Sequence, residues 1–444
     1  MDRKRLCVCI PTYNRCDAVK TVLDAELDIF EKYGIDLFLC DSSTNDEIKR
    51  LTERYKRIKE CSAKDMLFTQ GEKDAGYGGK SASIYEIHYK RFHSNISSNE
   101  KVFQIFQWAA SSEYAYIWLI HDHTVCNEDA VRFLMQELEK GLDFYLLNMQ
   151  SGGYGNEAFA DINEFLLKGA WRLNSFGSSV INTRTFLKNV DWQRMRTKYG
   201  GEKTLNYSHI GFYFERAAEL DSLKACQLFF ERKDFVDFYR TNEISWSGDI
   251  LRICLECWGE VITRLPEVYK DKPAVMRTQD KWFLSRYSLL VYRKEQKYNF
   301  KLFRKYGKWI KRIYPEDYIR DFWISVLPVR WLFRYYTGNL RKRMSEVKSR
   351  EGNVYIFGAG RHAAECGAFF EECRLPFDGF VVTSLQGNPN ELRNHTVYEA
   401  AARLKGQRSL VVIAVLSSGI EGVKKGLADL TDDATVIETI TFAI

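Results

Sequence analysis

Apolar residues gather along this chain in short runs that end in polar residues, and between the runs they recur at helical spacing. Leu6–Ile10 is the first run and is closed by Pro11; Asp17 then opens a helix carrying Val19, Val22 and Leu23. Ile35–Cys40 is the second, ending in Asp41-Ser-Ser-Thr-Asn-Asp46 ahead of another helical stretch. Tyr116–Ile120 is the third and runs into His121, Asp122 and His123. Asn127 then caps a helix through Val131, Leu134, Met135 and Leu138. Strand, polar loop and helix in repetition predict a parallel α/β sheet, whose polar loops lie at the carboxyl ends of strands, where such sheets bind ligands. Phe144–Asn148 reads as a further strand and Ser151–Gly155 as a loop. His88–Asn99 reads as a polar insertion before a helix over Val102–Ala110.

The pattern changes near Asp280. Between Lys281 and Arg350 there are nineteen Lys or Arg, five Asp or Glu and seventeen aromatics. That segment carries +14 while the whole chain carries +6, so the remainder is net acidic. Trp309 with Ile313, and Phe322 with Trp323 and Val326, are spaced as amphipathic helices. Basic helices loaded with Trp and Tyr suit the surface of an anionic membrane, and Lys301, Arg304, Lys305, Lys308, Lys311 and Arg312 supply the charge. No groove-reading or stacking motif accompanies them, so nucleic acid is not expected as a partner.

From Val354 a second α/β pattern begins: a strand to Phe357, the turn Gly358-Ala-Gly360-Arg-His-Ala363, a helix, then strands at Phe380–Val382, Leu410–Leu416 and Thr435–Ile437. The G-x-G-x-x-A turn can place a helix N-terminus at a phosphate. The second strand, however, ends at Thr383-Ser384 rather than at the acidic residue that holds a ribose, so NAD is not expected. The unit reads either as a nucleotide or sugar-nucleotide binder or as a packing module that supports a homo-oligomer. The expected division is 1–270, 271–350 and 351–444.

Eleven cysteines at irregular spacing, no secretory apolar region after Met1–Arg5 and no run long enough to cross a bilayer point to a reducing cytosol. Cys254 and Cys257 lack a second pair and are not expected to bind zinc.

Three motifs in order, Pro11-Thr-Tyr-Asn-Arg15, Asp41-Ser-Ser-Thr-Asn-Asp46 and the strand ending in His121-Asp122-His123, resemble the family 2 glycosyltransferases with the GT-A fold, over about residues 5 to 265. The fold class expected from this is α/β: a GT-A, Rossmann-like nucleotide-diphospho-sugar transferase domain, a basic aromatic helical segment, and a second small Rossmann-like α/β domain. The last is similar to the nucleotide-sugar domain of bacterial sugar acetyltransferases. The resemblance implies a sugar-nucleotide donor, most simply a UDP-sugar, inverting transfer, and a lipid-linked or surface-polysaccharide acceptor such as a capsule glycan, at the inner face of the cell membrane.

Residue by residue, the resemblance places Pro11, Thr12, Tyr13, Asn14, Arg15 and Asp41 around the nucleoside, and Gly79 and Lys80 of the Gly76-Tyr-Gly-Gly-Lys80 loop on the phosphates. Asp122 then faces the ribose or a metal, and His123 is the metal ligand. His121 either contacts the diphosphate or packs beneath the site. The family usually has aspartates where this chain has two histidines, and imidazole beside one carboxylate favours Mn²⁺ over Mg²⁺. The family's Glu-Asp pair for the base is absent; Tyr207-Ser-His-Ile-Gly-Phe-Tyr-Phe-Glu-Arg216 occupies its window and makes His209 the candidate base, with Glu202 next and Asp191, Glu215 and Asp249 as competitors. Two other classes stay open: a nucleotide-sugar oxidoreductase or epimerase working through the C-terminal unit, although residues 385 to 444 contain no Tyr-x-x-x-Lys, and a non-catalytic glycan-assembly scaffold.

Overall fold

The computed structural model describes residues 5–55, 58–60, 86–237, 247–415, 419–430 and 437–441. The protein is α/β and divides into two compact units, Met1–Gln279 and Asp280–Ile444. The basic helical stretch thus belongs to the same compact unit as the C-terminal sheet.

The strands of the first unit are β1 (Leu6–Thr12), β2 (Asp36–Asp41), β3 (Ile58–Glu60), β4 (Ile87–Arg91), β5 (Tyr116–Leu119), β6 (Thr124–Cys126), β7 (Phe144–Ala158), β8 (Ser179–Asn182), β9 (Ala225–Glu231) and β10 (Phe235–Asp237). Eight of them make one sheet in the order β3-β4-β2-β1-β5-β8-β7-β9, while β6 and β10 pair separately. β3, β4, β2, β1 and β5 run parallel, and β8 is antiparallel to both β5 and β7. Helices α1 (Cys16–Tyr33), α2 (Glu47–Arg54), α3 (Ser98–Ser111), α4 (Glu128–Glu137), α5 (Ile162–Gly169), α6 (Trp192–Tyr199), α7 (Ser208–Glu219), α8 (Trp258–Arg264) and α9 (Lys272–Arg277) complete the unit.

β1 is central and covered on both faces, which is why it reads as an unbroken apolar run: Leu6 to Ile10 are all fully buried. Pro11 does not break it. The β5 ladder ends at Cys9, with Ile120 N donating to the Cys9 carbonyl at 3.0 Å, so Pro11 lies past the last bond on that side and its missing N–H leaves no gap there. The expected polar insertion at His88–Asn99 is a correction. Ile87–Arg91 is β4, paired with β2 and β3 inside the sheet. Its polar alternates disguised it: His88 is buried against Tyr114 and Trp108, and the Lys90 ammonium lies over the Phe92 ring. α3 starts four residues earlier than expected, at Ser98, because Ser97 caps it by accepting from Glu100 N at 3.1 Å. Ser151–Gly155 is likewise not a loop. β7 runs parallel to β9 over Phe144–Asn148, bends, and pairs back antiparallel over Gly155–Ala158.

The second unit holds α10 (Arg286–Lys294), α11 (Phe300–Ile313), α12 (Tyr318–Val326) and α13 (Val329–Lys348), then β11 (Asn353–Phe357), α14 (Arg361–Glu372), β12 (Gly379–Val382), β13 (Glu391–Leu392), β14 (His395–Glu399), α15 (Ala400–Leu404), β15 (Ser409–Ile413), α16 (Ile420–Ala428) and β16 (Ile437–Thr441). Its sheet order is β13-β14-β12-β11-β15-β16, parallel except for β13. Gly358, at φ +119, is the constrained glycine of the turn after β11; a Cβ there would lie 3.1 Å from the Ala414 carbonyl oxygen. Gly360 has open space around it. Trp309 and Ile313, read as part of a membrane-facing stripe, are buried with Phe303, Tyr306 and Ile310 as the core side of α11. Among the described residues no helix is long and apolar enough to cross a membrane, and all ten cysteines are free thiols.

Candidate functional site at the carboxyl edge of the first sheet

β1, β2 and β5 end side by side, so Thr12, Asp41 and the His121–His123 triplet reach the same edge of the sheet. The triplet is followed by β6, which pairs antiparallel with β10, and only then by α4. Asn127 caps α4 as expected, its Oδ1 accepting from Ala130 N at 2.9 Å.

Asp122 is the centre. It is 3% exposed, yet Thr12 Oγ1 donates to its Oδ2 at 2.7 Å and Arg15 Nη1 to its Oδ1 at 3.0 Å. His123 Nδ1 lies 3.0 Å from the same Oδ1. Burial alone would raise the carboxyl, but His123, Arg15 and Thr12 together hold it below the ordinary carboxylate range. The site therefore keeps an ionised carboxylate in a nearly dry place.

Asp41 is fully buried and bound from three sides, by Ser43 N at 2.7 Å, Tyr89 OH at 2.8 Å and Arg91 Nη1 at 2.9 Å. These bonds turn its carboxylate inward, where it fixes the loop after β2. Asn14, at φ +52, stitches that loop to β1: its N donates to Ser43 Oγ at 2.7 Å and its Oδ1 accepts from Thr44 N at 2.9 Å. Tyr13 beside it is 48% exposed.

Two further groups escaped the sequence reading. Lys101 on α3 is buried and donates to the Thr12 carbonyl at 3.0 Å and to Ser42 Oγ at 2.5 Å. Burial pulls its ammonium below the ordinary value, with Cys40, Asp41 and Asp122 opposing. A signal existed: Lys101 shares the apolar stripe of Ile105 and Trp108, where a lysine needs a reason. The other is Ser175-Phe176, just ahead of β8. Ser175 Oγ lies 3.4 Å from His121 Nε2, and Phe176 packs between His121 and His209, with ring centroids at 5.3 and 5.0 Å. His121 also stacks on His123 at 4.7 Å and is part-exposed.

His209 is enclosed behind Phe176, its Nε2 2.9 Å from the Leu173 carbonyl oxygen, and burial pushes it down to about 4, so it is neutral near pH 7. Glu202 is exposed in the short turn Glu202–Thr204, whose backbone is held by Asn99 and Cys257. Glu215 is buried and engaged by Tyr199 OH at 2.6 Å and Lys198 Nζ at 2.7 Å. Asp191 caps α6 by accepting from Arg194 N. Gly79 and Lys80 lie outside the described residues.

Asp122 Oδ1 and His123 Nδ1 both lie against Arg15 Nη1, at 3.0 and 3.5 Å, so in this structure the guanidinium occupies the point where the two atoms meet. A second cluster, Asp36, Glu86 and His88, brings three ligand atoms within 4.8 Å of one another. It lies at the amino end of β2 and β4, five residues from Asp41 and so about 16 Å away along the strand. Tyr114 OH ties it together, donating to Asp36 Oδ2 at 2.5 Å and lying 2.8 Å from His88 Nε2. It belongs to the opposite edge of the sheet from Asp122.

No known protein-family pattern and no curated protein matches the chain. Solved structures similar to it include residues 1–349 of S. aureus TarS in complex with UDP-GlcNAc, at 10% identity over 75% of this chain and 92% of that one, with a TM-score of 0.42. Glucosyl-3-phosphoglycerate synthase from Mycobacterium tuberculosis, in complex with Mn²⁺, UDP and glucosyl-3-phosphoglycerate, is similar at 12% identity over 61% and 82%, with a TM-score of 0.34. At this depth of superposition neither assigns a function, which rests on the chain's own residues.

Proposed function

We propose that the first unit is a GT-A-type, sugar-nucleotide-dependent glycosyltransferase, metal-assisted and inverting, acting on a lipid-linked or surface-polysaccharide glycan. The observation that carries this reading is the ionised, buried Asp122 held between Thr12, Arg15 and His123 at the carboxyl edge of a parallel sheet. A nucleoside diphosphate needs cations at its phosphates and a flat surface at its base. Arg15 offers the first and exposed Tyr13 the second. A bound divalent cation would be held by Asp122 and His123, with Mn²⁺ preferred, and would neutralise the leaving diphosphate.

In the reaction the acceptor hydroxyl attacks the anomeric carbon and passes its proton to the His121 imidazole as the bond to the diphosphate breaks. Arg15, displaced from Asp122 by the donor, donates to the departing phosphate. His121 is the imidazole open to the acceptor, and His209 positions it through Phe176.

Hydrolysis of UDP-, GDP-, CDP- and dTDP-sugars by the full chain, with Mn²⁺ or with EDTA, tests the reading. Mn²⁺-stimulated release of one nucleoside diphosphate, lost in Asp122→Asn, supports it. Release that is unaltered by Asp122→Asn in folded protein, or no release from any donor, refutes it.

A further inference from the structure

The strongest unexplained surface is on α12 and α13 of the second unit. Of α12, Ile319, Trp323 and Val326 are exposed, and their spacing of four and three residues puts them on one stripe. Trp331 and Tyr335, four apart near the start of α13, form a second stripe. Ile319 is 69% exposed, Trp323 51%, Trp331 59% and Tyr335 80%. Only Leu327-Pro328 separates the two helices. Phe300, also exposed, extends the patch, its ring 6.2 Å from Phe322, which in turn packs on Trp323 at 5.2 Å. Exposed Lys301, Arg304, Arg330 and Arg334 lie next to these residues in the helices.

We propose that this surface docks the protein on an anionic lipid bilayer, with Trp323, Trp331 and Tyr335 at headgroup depth and Ile319 and Val326 against the upper acyl chains. Trp and Tyr favour that boundary because each has an apolar body and a polar tip, and Lys and Arg beside them meet anionic headgroups. Nucleic acid would match the charge but would gain nothing from exposed Ile319 and Val326. A second copy docked through the same face would bring like charge onto like charge. The face is not the one that amphipathic spacing in α11 suggested, because that helix buries its apolar side within its own unit. The inference stands independently of sugar transfer by the first unit.

The test is co-sedimentation of the full chain with vesicles of phosphatidylcholine alone and with phosphatidylglycerol added, together with quenching of tryptophan fluorescence by brominated lipid. Binding is expected only to the anionic vesicles, with quenching, and weakened by salt. Arg330→Glu with Arg334→Glu should weaken it at least tenfold, since each basic charge near such a surface contributes roughly fivefold. Trp323→Ala with Trp331→Ala should remove both most of the binding and the quenching, and circular dichroism of these surface variants should match the parent. Equal binding to neutral vesicles, no quenching in the parent, or parent-like binding by both variants overturns the proposal. A dimer in solution that the tryptophan variant dissolves, or retention on RNA in preference to vesicles, overturns it in favour of that partner.

Discussion

Asp122 and Asp321 are both buried aspartates beside an arginine, one in each unit, and they lie on opposite sides of the usual carboxylate range. Asp122 is held below it, whereas burial pushes Asp321 up to about 7, Arg320 only partly opposing. The arginine is not the difference: Arg320 lies 2.7 Å from Asp321 Oδ1 and Arg15 3.0 Å from Asp122 Oδ1. The difference is the second oxygen. Thr12 donates to Asp122 Oδ2 and His123 adds to Oδ1, while Asp321 Oδ2 is buried with no hydrogen-bond partner. Desolvation is offset when both oxygens are met and wins when one is left bare.

The largest test of this contrast is chemical. Asp122→Asn should lower donor turnover by about 100- to 1,000-fold in protein that stays folded, because it removes the charge that orients Arg15 and His123. Asp321→Asn should leave turnover within about threefold, as expected of packing. A kinetic assay of both variants decides, and equal losses would erase the distinction.

A smaller effect concerns pH. Asp321 has a folded pKa above its unfolded one, so its contribution to stability is complete below about pH 4 and drains away as pH rises to about 7. Asp321→Asn, neutral throughout, should therefore gain on the order of 2 kcal/mol over the parent at pH 8 and little at pH 4, read by urea unfolding. Glu26, raised by burial to about 7 against its bonds from Cys126, gives the first unit a loss of the same sign. The difference between variant and parent isolates Asp321; a gain independent of pH would show that its charge is not the cause.

The smallest change removes one donor. Thr12→Val keeps the shape of the side chain but leaves Asp122 Oδ2 unmet, making Asp122 more like Asp321. Stability at pH 7 should fall by about 1 kcal/mol, and the acid limb of the turnover profile should move to higher pH. An unmoved limb would mean that Arg15 and His123 alone keep Asp122 ionised.

Much of the first unit was legible because its strands are covered on both faces and read as continuous apolar runs, with polar ends that mark the ligand edge. β4 was not, since His88 is covered by Trp108 and Tyr114, side chains distant in sequence, and the strand's polar alternation looked like a loop. For the same reason Arg91 and Tyr89 could not be seen as the partners of Asp41: nothing local in Ile87–Arg91 points to a carboxylate fifty residues earlier. The triplet announced itself by rarity of residue type and by position, but its partner Thr12 was expected to face a nucleoside rather than Asp122. In the second unit the aromatic load was plain, while the side on which each helix spends it depended on neighbours that spacing does not reveal.

The hydrogen bond from Thr12 to Asp122 joins residues 110 positions apart. During synthesis at about 5–20 residues per second, roughly 5–20 seconds separate the emergence of its two ends. β1 must wait in the nascent chain, apolar on both faces, until β5 arrives to lie beside it, and non-local pairing of this kind makes for slow folding. The cluster around Asp122 thus cannot exist until β5 has been made, well after β1 and β2. A chain arrested before β5 would hold Pro11 to Arg15 and Asp41 in full and still lack the carboxylate that Thr12 and Arg15 bind.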